Sequence, residues 1–298
     1  MRGEVMKKID PIELGGTLFI PAIHKDLVSV VSGGKYENLR SVVIDTEGAI
    51  SDVEVDLAIE FITEMLQNFK KSSVLVFLRP RDTKVLELFL GLHNIENIDG
   101  FILPKFSLQN ADTYLKILKN TRHQIMPSIE GKELFEQSKL LELREKVLPY
   151  QDKIILVRFG LEDMLRQLKM RRNCDESVFD FSVTHTILGN FIAIFKGAGF
   201  EISAGVYPCF KESEGFAKDV QRDLKEGLIS KTIIHPNQIE IINELYKVKK
   251  EEFDEAIEIC NSSKAIFSQN SKMAEKTTMI PYAQYIIKRA EVYGLKVT

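Results

Sequence analysis

Residues 41–47 read SVVIDTE, in which Val42, Val43 and Ile44 form a short β-branched apolar run that ends at Asp45 and Glu47. The run does not alternate apolar with polar residues, which indicates a strand covered on both faces. Strands of this kind are typical of parallel sheets packed between helices. The stretch therefore predicts an α/β fold.

The same pattern recurs seven more times along the chain. The runs are TLFIPA from Thr17, SVLVFLRP from Ser73, GFILPKF from Gly100, HQIMPSIEG from His123, KIILVRFG from Lys153, EISAGVY from Glu201 and KTIIHP from Lys231. Segments with helical spacing lie between them, at 53–70, 132–147, 182–199 and 216–228. The strand starts are spaced by about 31 residues on average, which suits a β-plus-α unit.

Eight such units predict a (β/α)8 TIM barrel over residues 1–250. An open doubly wound sheet is the alternative, but its usual glycine-rich turn after the first strand is missing here. Residues 251–298 are expected to form a C-terminal helical extension, two helices joined by the polar stretch 261–278, that packs on a neighbouring subunit.

Composition excludes several classes of protein. The 298 residues carry a formal charge of −3, which gives no basic surface for nucleic acid or an anionic membrane. The longest apolar runs fall short of the roughly 20 residues that span a bilayer, and the start MRGEVMKKID does not resemble a secretory signal. Cys174, Cys209 and Cys260 are widely spaced, which indicates a reducing compartment and argues against zinc. We therefore expect a cytoplasmic protein.

In a barrel enzyme the chemistry lies at the carboxyl ends of the strands. Charged residues follow several of the predicted strands at that end: Asp45, Glu47, Arg79, Arg81, Lys105, Glu130 and Asp163. A structural protein has little reason to place so many charges at the ends of apolar strands. The sequence thus predicts an active site at this rim.

Glu130 and Asp163 are the candidate metal ligands. Two carboxylates from adjacent strands, without His or Cys at the same strand ends, suit Mg²⁺, and Mn²⁺ is the alternative ion. The simpler interpretation is that both are solvated acids, with Asp163 favourable at a helix start. Arg79 is expected either to bind a substrate carboxylate or to pair with Asp45 or Glu47.

Seven segments resemble one family. LFIPA, VVIDTEGAI, FLRPR, GFILPK, PSIEG, FGLEDM and GLISKTIIHPNQI occur in the order found in the HpcH/HpaI aldolase and citrate lyase β-subunit family. The most specific are Gly160–Met164, matching G-x-E-D-M, and Lys231–Gln238, matching K-x-x-I-H-P-x-Q. The chain is similar to a divergent branch encoded with tellurite-resistance genes in bacteria.

The resemblance implies a metal-assisted carbon–carbon lyase or aldolase that acts on a small hydroxy or keto acid, or its coenzyme A thioester, through an enolate. It matches Glu130 and Asp163 to the family's metal ligands and Arg79 to its catalytic arginine, with Arg81 as the second choice. The residues expected to bind substrate are Arg79, Arg81, Asp45, Glu47 and Lys105, and Lys105 is also weighed as a Schiff-base lysine. A homo-oligomer, trimeric or hexameric, is implied as well.

Three departures from the family pattern bear on activity. The second-strand D-L-E-D reads D-T-E-G, so Gly48 replaces an acid, and the strand-seven aspartate is absent from the stretch at 204–206. The tail aspartate of the family is matched by Glu275, which we expect to act as a general acid or base in a neighbouring subunit's site. These changes keep a second hypothesis open, a non-catalytic metabolite-binding or scaffold subunit that retains the barrel.

Overall fold

Eight parallel strands form a closed barrel in the computed structural model, which describes residues 8–269 and 272–296. Each strand pairs with the next along the chain, and the eighth pairs with the first. The strands are β1 Gly16–Pro21, β2 Ser41–Asp45, β3 Leu75–Arg79, β4 Gly100–Leu103, β5 Gln124–Ile129, β6 Val157–Phe159, β7 Ile202–Ala204 and β8 Ile229–Ile233. The predicted barrel is confirmed, and the open sheet was the wrong alternative.

Helices connect the strands. They are α1 Leu27–Val31, α2 Val55–Asn68, α3 Thr83–Leu90, α4 Ala111–Leu118, α5 Gln137–Val147, α6 Leu161–Gln167, α7 Ser182–Lys196 and α8 Ser213–Lys225, followed by α9 Asn237–Tyr246, α10 Lys250–Asn261 and α11 Lys276–Tyr293. In α2 the buried residues Ala58, Ile62, Met65 and Leu66 recur every three or four positions, so one face packs inward. This is the spacing from which the helix was predicted.

The barrel interior has an apolar layer below its polar rim. Val43 and Phe77 are fully buried in one cluster with Met126, and they precede Asp45 and Arg79 by two residues on β2 and β3. Because side chains two apart on a strand face the same side, Asp45 and Arg79 also face the interior. The register places Asp45 directly beside Arg79.

The described residues divide into two compact units, one up to Ile239 and the other from Glu240 onward. In the second unit, α10 packs on α11 through Ala256, Ile259, Ala283 and Ile286. The stretch 261–278 was expected to be a polar connection between two helices. It also contains two antiparallel strands, which were not predicted: β9 Ile266–Gln269 and β10 Lys272–Glu275. The domain bounds 1–250 and 251–298 stay a prediction.

Cys174 and Cys209 form a disulfide, a pairing that was not predicted from the sequence. They lie 35 residues apart, Cys174 between α6 and α7 and Cys209 in the loop after β7. The disulfide thus joins the connections that leave the carboxyl ends of β6 and β7. Sequence spacing does not reveal this proximity. The pairing removes the cysteine argument for a reducing compartment. Among the residues that the structure describes, no helix has the length and apolarity to cross a membrane.

Candidate active site

A cavity of about 580 Å³ opens at the carboxyl ends of the strands. Six of the candidate residues from the sequence line it: Asp45, Glu47, Arg79, Lys105, Glu130 and Asp163. They come from β2, β3 and α6 and from the loops after β2, β4 and β5. The barrel thus brings together side chains that are up to 118 positions apart in the sequence.

Arg79 is held in place by two acids. Its Nε and Nη2 donate to Oδ1 and Oδ2 of Asp45, each at 2.6 Å, and its Nη1 lies 3.4 Å from Oε2 of Glu47. Burial alone would lower the pKa of Arg79, but Asp45, Glu47 and Glu130 raise it overall. Both sequence interpretations therefore fit the geometry, since Arg79 is a strand-end ion pair and also faces the cavity as a fixed cation.

Gly48 leaves space for this guanidinium. A Cβ at position 48 would lie 2.9 Å from Nη2 of Arg79, closer than real Cβ contacts allow. The glycine at position 48, where the family has an acid, thus allows the guanidinium of Arg79 to lie against Asp45.

Glu130 is a buried carboxylate with a perturbed pKa. It follows β5 and is 7% exposed, and its Oε1 accepts a 2.6 Å hydrogen bond from the backbone N–H of Lys105. Burial, and then the charge of Asp163, raise its pKa from 4.5 to about 7, although the Lys105 N–H and Arg79 oppose the shift. A carboxylate in this state is destabilised by its surroundings and would be stabilised by a nearby cation.

Asp163 lies in the first turn of α6 and lines the same cavity, with Oδ1 2.5 Å from Nη2 of the exposed Arg166. Glu130 and Asp163 supply hard oxygen donors, and the effect of Asp163 on the pKa of Glu130 reflects their mutual repulsion. The described parts of the chain hold no cluster of three His, Cys, Asp or Glu that suits a metal. Mg²⁺ needs one or two carboxylates, and the pair fits that requirement.

Lys105 is a surface cation of the cavity. Its Nζ lies 2.7 Å from Oε1 of Glu47, and 63% of its side chain is exposed. The hydrogen bond to Glu47 raises its pKa. A Schiff-base lysine needs a lowered pKa, so this environment opposes that hypothesis. The backbone of Lys105 has φ of 46°, a left-handed conformation that is costly for a non-glycine residue, and its N–H points at Glu130.

Arg81 does not line the cavity. Its guanidinium donates to the backbone oxygens of Thr46, Glu47 and Ile50 and pairs with Asp52, so it secures the loop after β2. The structure thus does not bring Arg81 together with the other candidates, and its role as the second choice to Arg79 and as a substrate-binding residue stays a prediction. Glu275 is exposed at the end of β10 in the second compact unit, where its Oε1 accepts a hydrogen bond from Thr277 at 3.0 Å.

The Lys231–Gln238 motif stabilises the barrel. The Nζ of Lys231 lies 2.7 Å from Asp219 and 2.6 Å from Asp223, and it donates to the backbone oxygen of Gly205. Gln238 accepts hydrogen bonds from the backbone N–H groups of Ile234 and His235. The most recognisable segment of the sequence therefore holds β7, β8 and α8 together.

Sequence reasoning missed Arg158, Thr232 and Phe19, all of which line the cavity. Arg158 lies inside the apolar run of β6, whereas the candidate residues were taken from the ends of the predicted strands. The available signal was a single arginine within a run that is otherwise apolar.

Several curated proteins are similar to this chain in sequence, at low identity. A citrate lyase subunit beta of Haemophilus influenzae is 22% identical over 293 residues, covering 92% of this chain and 96% of that protein. The Escherichia coli K12 citrate lyase subunit beta is 24% identical over 152 residues, and the chain spans about half the length of that relative, 48%. A (3S)-malyl-CoA thioesterase of Cereibacter sphaeroides is 27% identical over 121 residues, 41% of this chain and 39% of that protein.

Solved structures share the fold. A citrate lyase from Burkholderia xenovorans superposes with a TM-score of 0.72 at 17% identity, covering 98% of both chains. The CitE protein of Mycobacterium tuberculosis, in complex with magnesium, acetoacetate and coenzyme A, gives a TM-score of 0.68 at 15% identity, over 94% of this chain and 99% of that chain. A family model described as a C-C bond lyase of the TIM-barrel fold matches residues 8–295. This chain therefore belongs to the C-C bond lyase family of the TIM-barrel fold.

Proposed function

We propose that this protein is a Mg²⁺-dependent lyase or aldolase that cleaves or forms a carbon–carbon bond in a small hydroxy or keto acid, or in its coenzyme A thioester. The observation that carries the proposal is the buried Glu130 carboxylate, whose pKa is raised to about 7 beside Asp163, in one cavity with Arg79. Strongly perturbed carboxylates in a cleft are typical of functional sites.

In this proposal, Glu130 and Asp163 hold the metal ion. When bound, a divalent cation supplies Lewis-acid stabilisation of an enolate and orients the substrate oxygens. The backbone N–H of Lys105 fixes Oε1 of Glu130, so the carboxylate has little freedom to reorient. Mn²⁺ is expected to substitute for Mg²⁺, since both prefer oxygen donors.

In this proposal, Arg79 stabilises the negative charge that develops on the enolate oxygen of the substrate. Its two hydrogen bonds to Asp45 fix the guanidinium before substrate arrives, and preorganised charge of this kind favours a charged transition state. Glu47 and Lys105 form an ion pair at the rim and are proposed to contact the substrate's polar groups. Cleavage and condensation pass through the same enolate, so both directions use these residues.

Relatives suggest the remaining features. The thioesterase relative is named for malyl-CoA, and the Mycobacterium tuberculosis structure holds coenzyme A, which supports a coenzyme A thioester as substrate. We also propose a cytoplasmic homo-oligomer, a trimer or a hexamer, in which Glu275 acts as a general acid or base for a neighbouring subunit.

The test is exchange of substrate α-protons for deuterium in D₂O with Mg²⁺, followed by mass spectrometry, using pyruvate, oxaloacetate, acetyl-CoA and a panel of 3-hydroxyacyl thioesters. We expect exchange or cleavage of at least one compound, and a loss of about 100-fold or more in Glu130→Gln. Equal exchange in the wild type and the variant would contradict the proposal. Mg²⁺ and acid binding without exchange of any compound would favour the non-catalytic binding subunit.

A further inference from the structure

Arg158 is a buried cation at the bottom of the cavity. It is the middle residue of β6 and is 4% exposed, and the register pairs it with Ser128 of β5. Ser128 lies two residues before Glu130, so Arg158 is about 6–7 Å deeper in the barrel than the proposed metal ligand. Both side chains line the same cavity.

The hydrogen-bond partners of Arg158 are neutral. Its Nη2 donates to Oγ1 of Thr232, and its Nη1 lies 3.9 Å from Sδ of Met126. No acidic residue in the described part of the chain forms an ion pair with it. The buried cations Arg172 and Lys231 differ in this respect, since Asp219 pairs with the first, and both Asp219 and Asp223 pair with the second.

A second cation lies close by. The guanidinium carbons of Arg79 and Arg158 lie 5.1 Å and 5.2 Å from the centroid of the Phe19 ring. Asp45 and Glu47 form ion pairs with Arg79, whereas Arg158 contacts the ring face and neutral atoms and forms no ion pair with Glu130, the acid of this cavity whose charge acts on it. A buried charge without an ion-pair partner is costly, and such a charge facing a cavity is suited to an anionic ligand.

Arg158 keeps its charge at neutral pH. Burial, followed by the positive charge of Arg79, lowers its pKa to about 9, although the charge of Glu130 opposes the shift, and this value is still above neutrality. Thr232 orients one edge of the guanidinium, so the remaining donors are available to an acceptor in the cavity. A carboxylate matches the planar fork of an arginine.

We propose that Arg158 binds a second carboxylate of the substrate, so that the site selects short dicarboxylic hydroxy or keto acids over monocarboxylic ones. The inference rests on the proposed function, in which Glu130, Asp163 and Arg79 hold the reacting end of the substrate. Arg158 holds the other end one layer deeper in the barrel. It is therefore a specificity-determining residue.

The test compares malate with lactate, which differ by one carboxylate, by titration calorimetry at saturating Mg²⁺. We expect the wild type to bind one enantiomer of malate at least tenfold more tightly than either enantiomer of lactate. Arg158→Gln should lose this preference through weaker malate binding, with lactate changed less than threefold. Arg158→Lys should retain part of it, and Thr232→Val should reduce it less than Arg158→Gln does.

The control is Lys218→Gln, which removes an exposed cation outside this cavity and should change neither ligand. Binding of Mg²⁺ alone should be the same in all variants. If Mg²⁺ fails to bind the wild type, the proposed function is wrong. If Mg²⁺ binds but the wild type does not prefer malate, or Arg158→Gln keeps the preference, only the inference about Arg158 is overturned. Thr232→Val and Arg158→Lys provide the comparison should Arg158→Gln fold poorly.

Discussion

Glu130 lies directly against Gly160: a Cβ at position 160 would come within 2.2 Å of the Cβ of Glu130 and 2.7 Å of its Oε2. The two residues follow neighbouring strands, β5 and β6, at the carboxyl rim. Only the absence of a side chain at Gly160 lets the carboxylate take its position, so the glycine of the Gly160–Met164 segment shapes the proposed metal site.

Gly160→Ala is therefore expected to displace Glu130. We predict a loss of about 1–3 kcal/mol in the free energy of unfolding from overpacking, with at least about tenfold weaker Mg²⁺ binding. Gly189→Ala is the matched control, because a Cβ there meets nothing within 4 Å and the residue lies within α7. It should raise stability by about 0.5–1 kcal/mol, since alanine favours a helix. Unchanged Mg²⁺ affinity in Gly160→Ala would show that Glu130 does not need the glycine.

The pKa of Glu130 predicts a pH dependence of both stability and metal binding. Because its pKa rises from 4.5 to about 7 on folding, the native metal-free protein holds a proton that the unfolded chain releases between these values. The contribution of Glu130 to stability should thus fall by roughly 3 kcal/mol as pH rises from 4.5 to 7, and then level off.

Mg²⁺ binding should show the opposite trend, since the cation competes with that proton. We expect apparent affinity to increase by up to tenfold per pH unit below about 7 and to become constant above it. Calorimetry in buffers of different ionisation enthalpy measures the proton released. Chemical unfolding of Glu130→Gln across the same range is the control, and a pH slope identical to that of the wild type would contradict the assignment.

Arg79 is predicted to serve both stability and turnover. Arg79→Met leaves Asp45 buried and 2% exposed without its cation, so we expect a loss of about 3–5 kcal/mol in the free energy of unfolding. Arg79→Lys keeps the charge but loses the two parallel hydrogen bonds. It should fold and yet reduce kcat by about 10²–10³. Full activity in Arg79→Lys would mean that the geometry of the guanidinium is not used in the reaction.

Lys231 is expected to act on stability through its contacts with Asp219 and Asp223. Lys231→Met would leave two buried carboxylates without their shared cation, at a cost of about 3–5 kcal/mol in urea unfolding. The comparison is Lys218→Met, which breaks an exposed pair with Glu214 and should cost no more than about 1 kcal/mol. Similar losses in both variants would refute the role of the buried network.

The sequence predicted the fold well because each strand is a nearly continuous apolar run. Continuous apolar runs of this length are typical of parallel strands that are covered on both faces. The spacing of about 31 residues between strand starts matches the length of one strand plus one helix. The sequence also predicted most of the charged residues of the cavity, because the carboxyl ends of the strands meet at one rim. Asp45, Glu47, Arg79, Lys105, Glu130 and Asp163 all line that cavity.

The features that the sequence did not predict depend on contacts between distant segments. The Cys174–Cys209 disulfide joins two loops, and the β9–β10 hairpin lies where only polarity was visible. The sequence neighbours of Arg158 in β6 are apolar, so the pattern indicates a buried strand and not a candidate for the site. Arg81 follows a strand as Arg79 does, but it turns to the loop oxygens instead of the cavity.

The most direct test of the central claim is titration calorimetry of Mg²⁺ into metal-stripped protein, alone and with oxaloacetate or pyruvate present, in the wild type, Glu130→Gln and Asp163→Asn. We predict one Mg²⁺ per chain, tighter binding when the acid is present, and loss of at least about tenfold in affinity in each variant. Wild-type protein that binds no Mg²⁺, or variants that bind it as well as the wild type does, would contradict the assignment of Glu130 and Asp163 as the metal site.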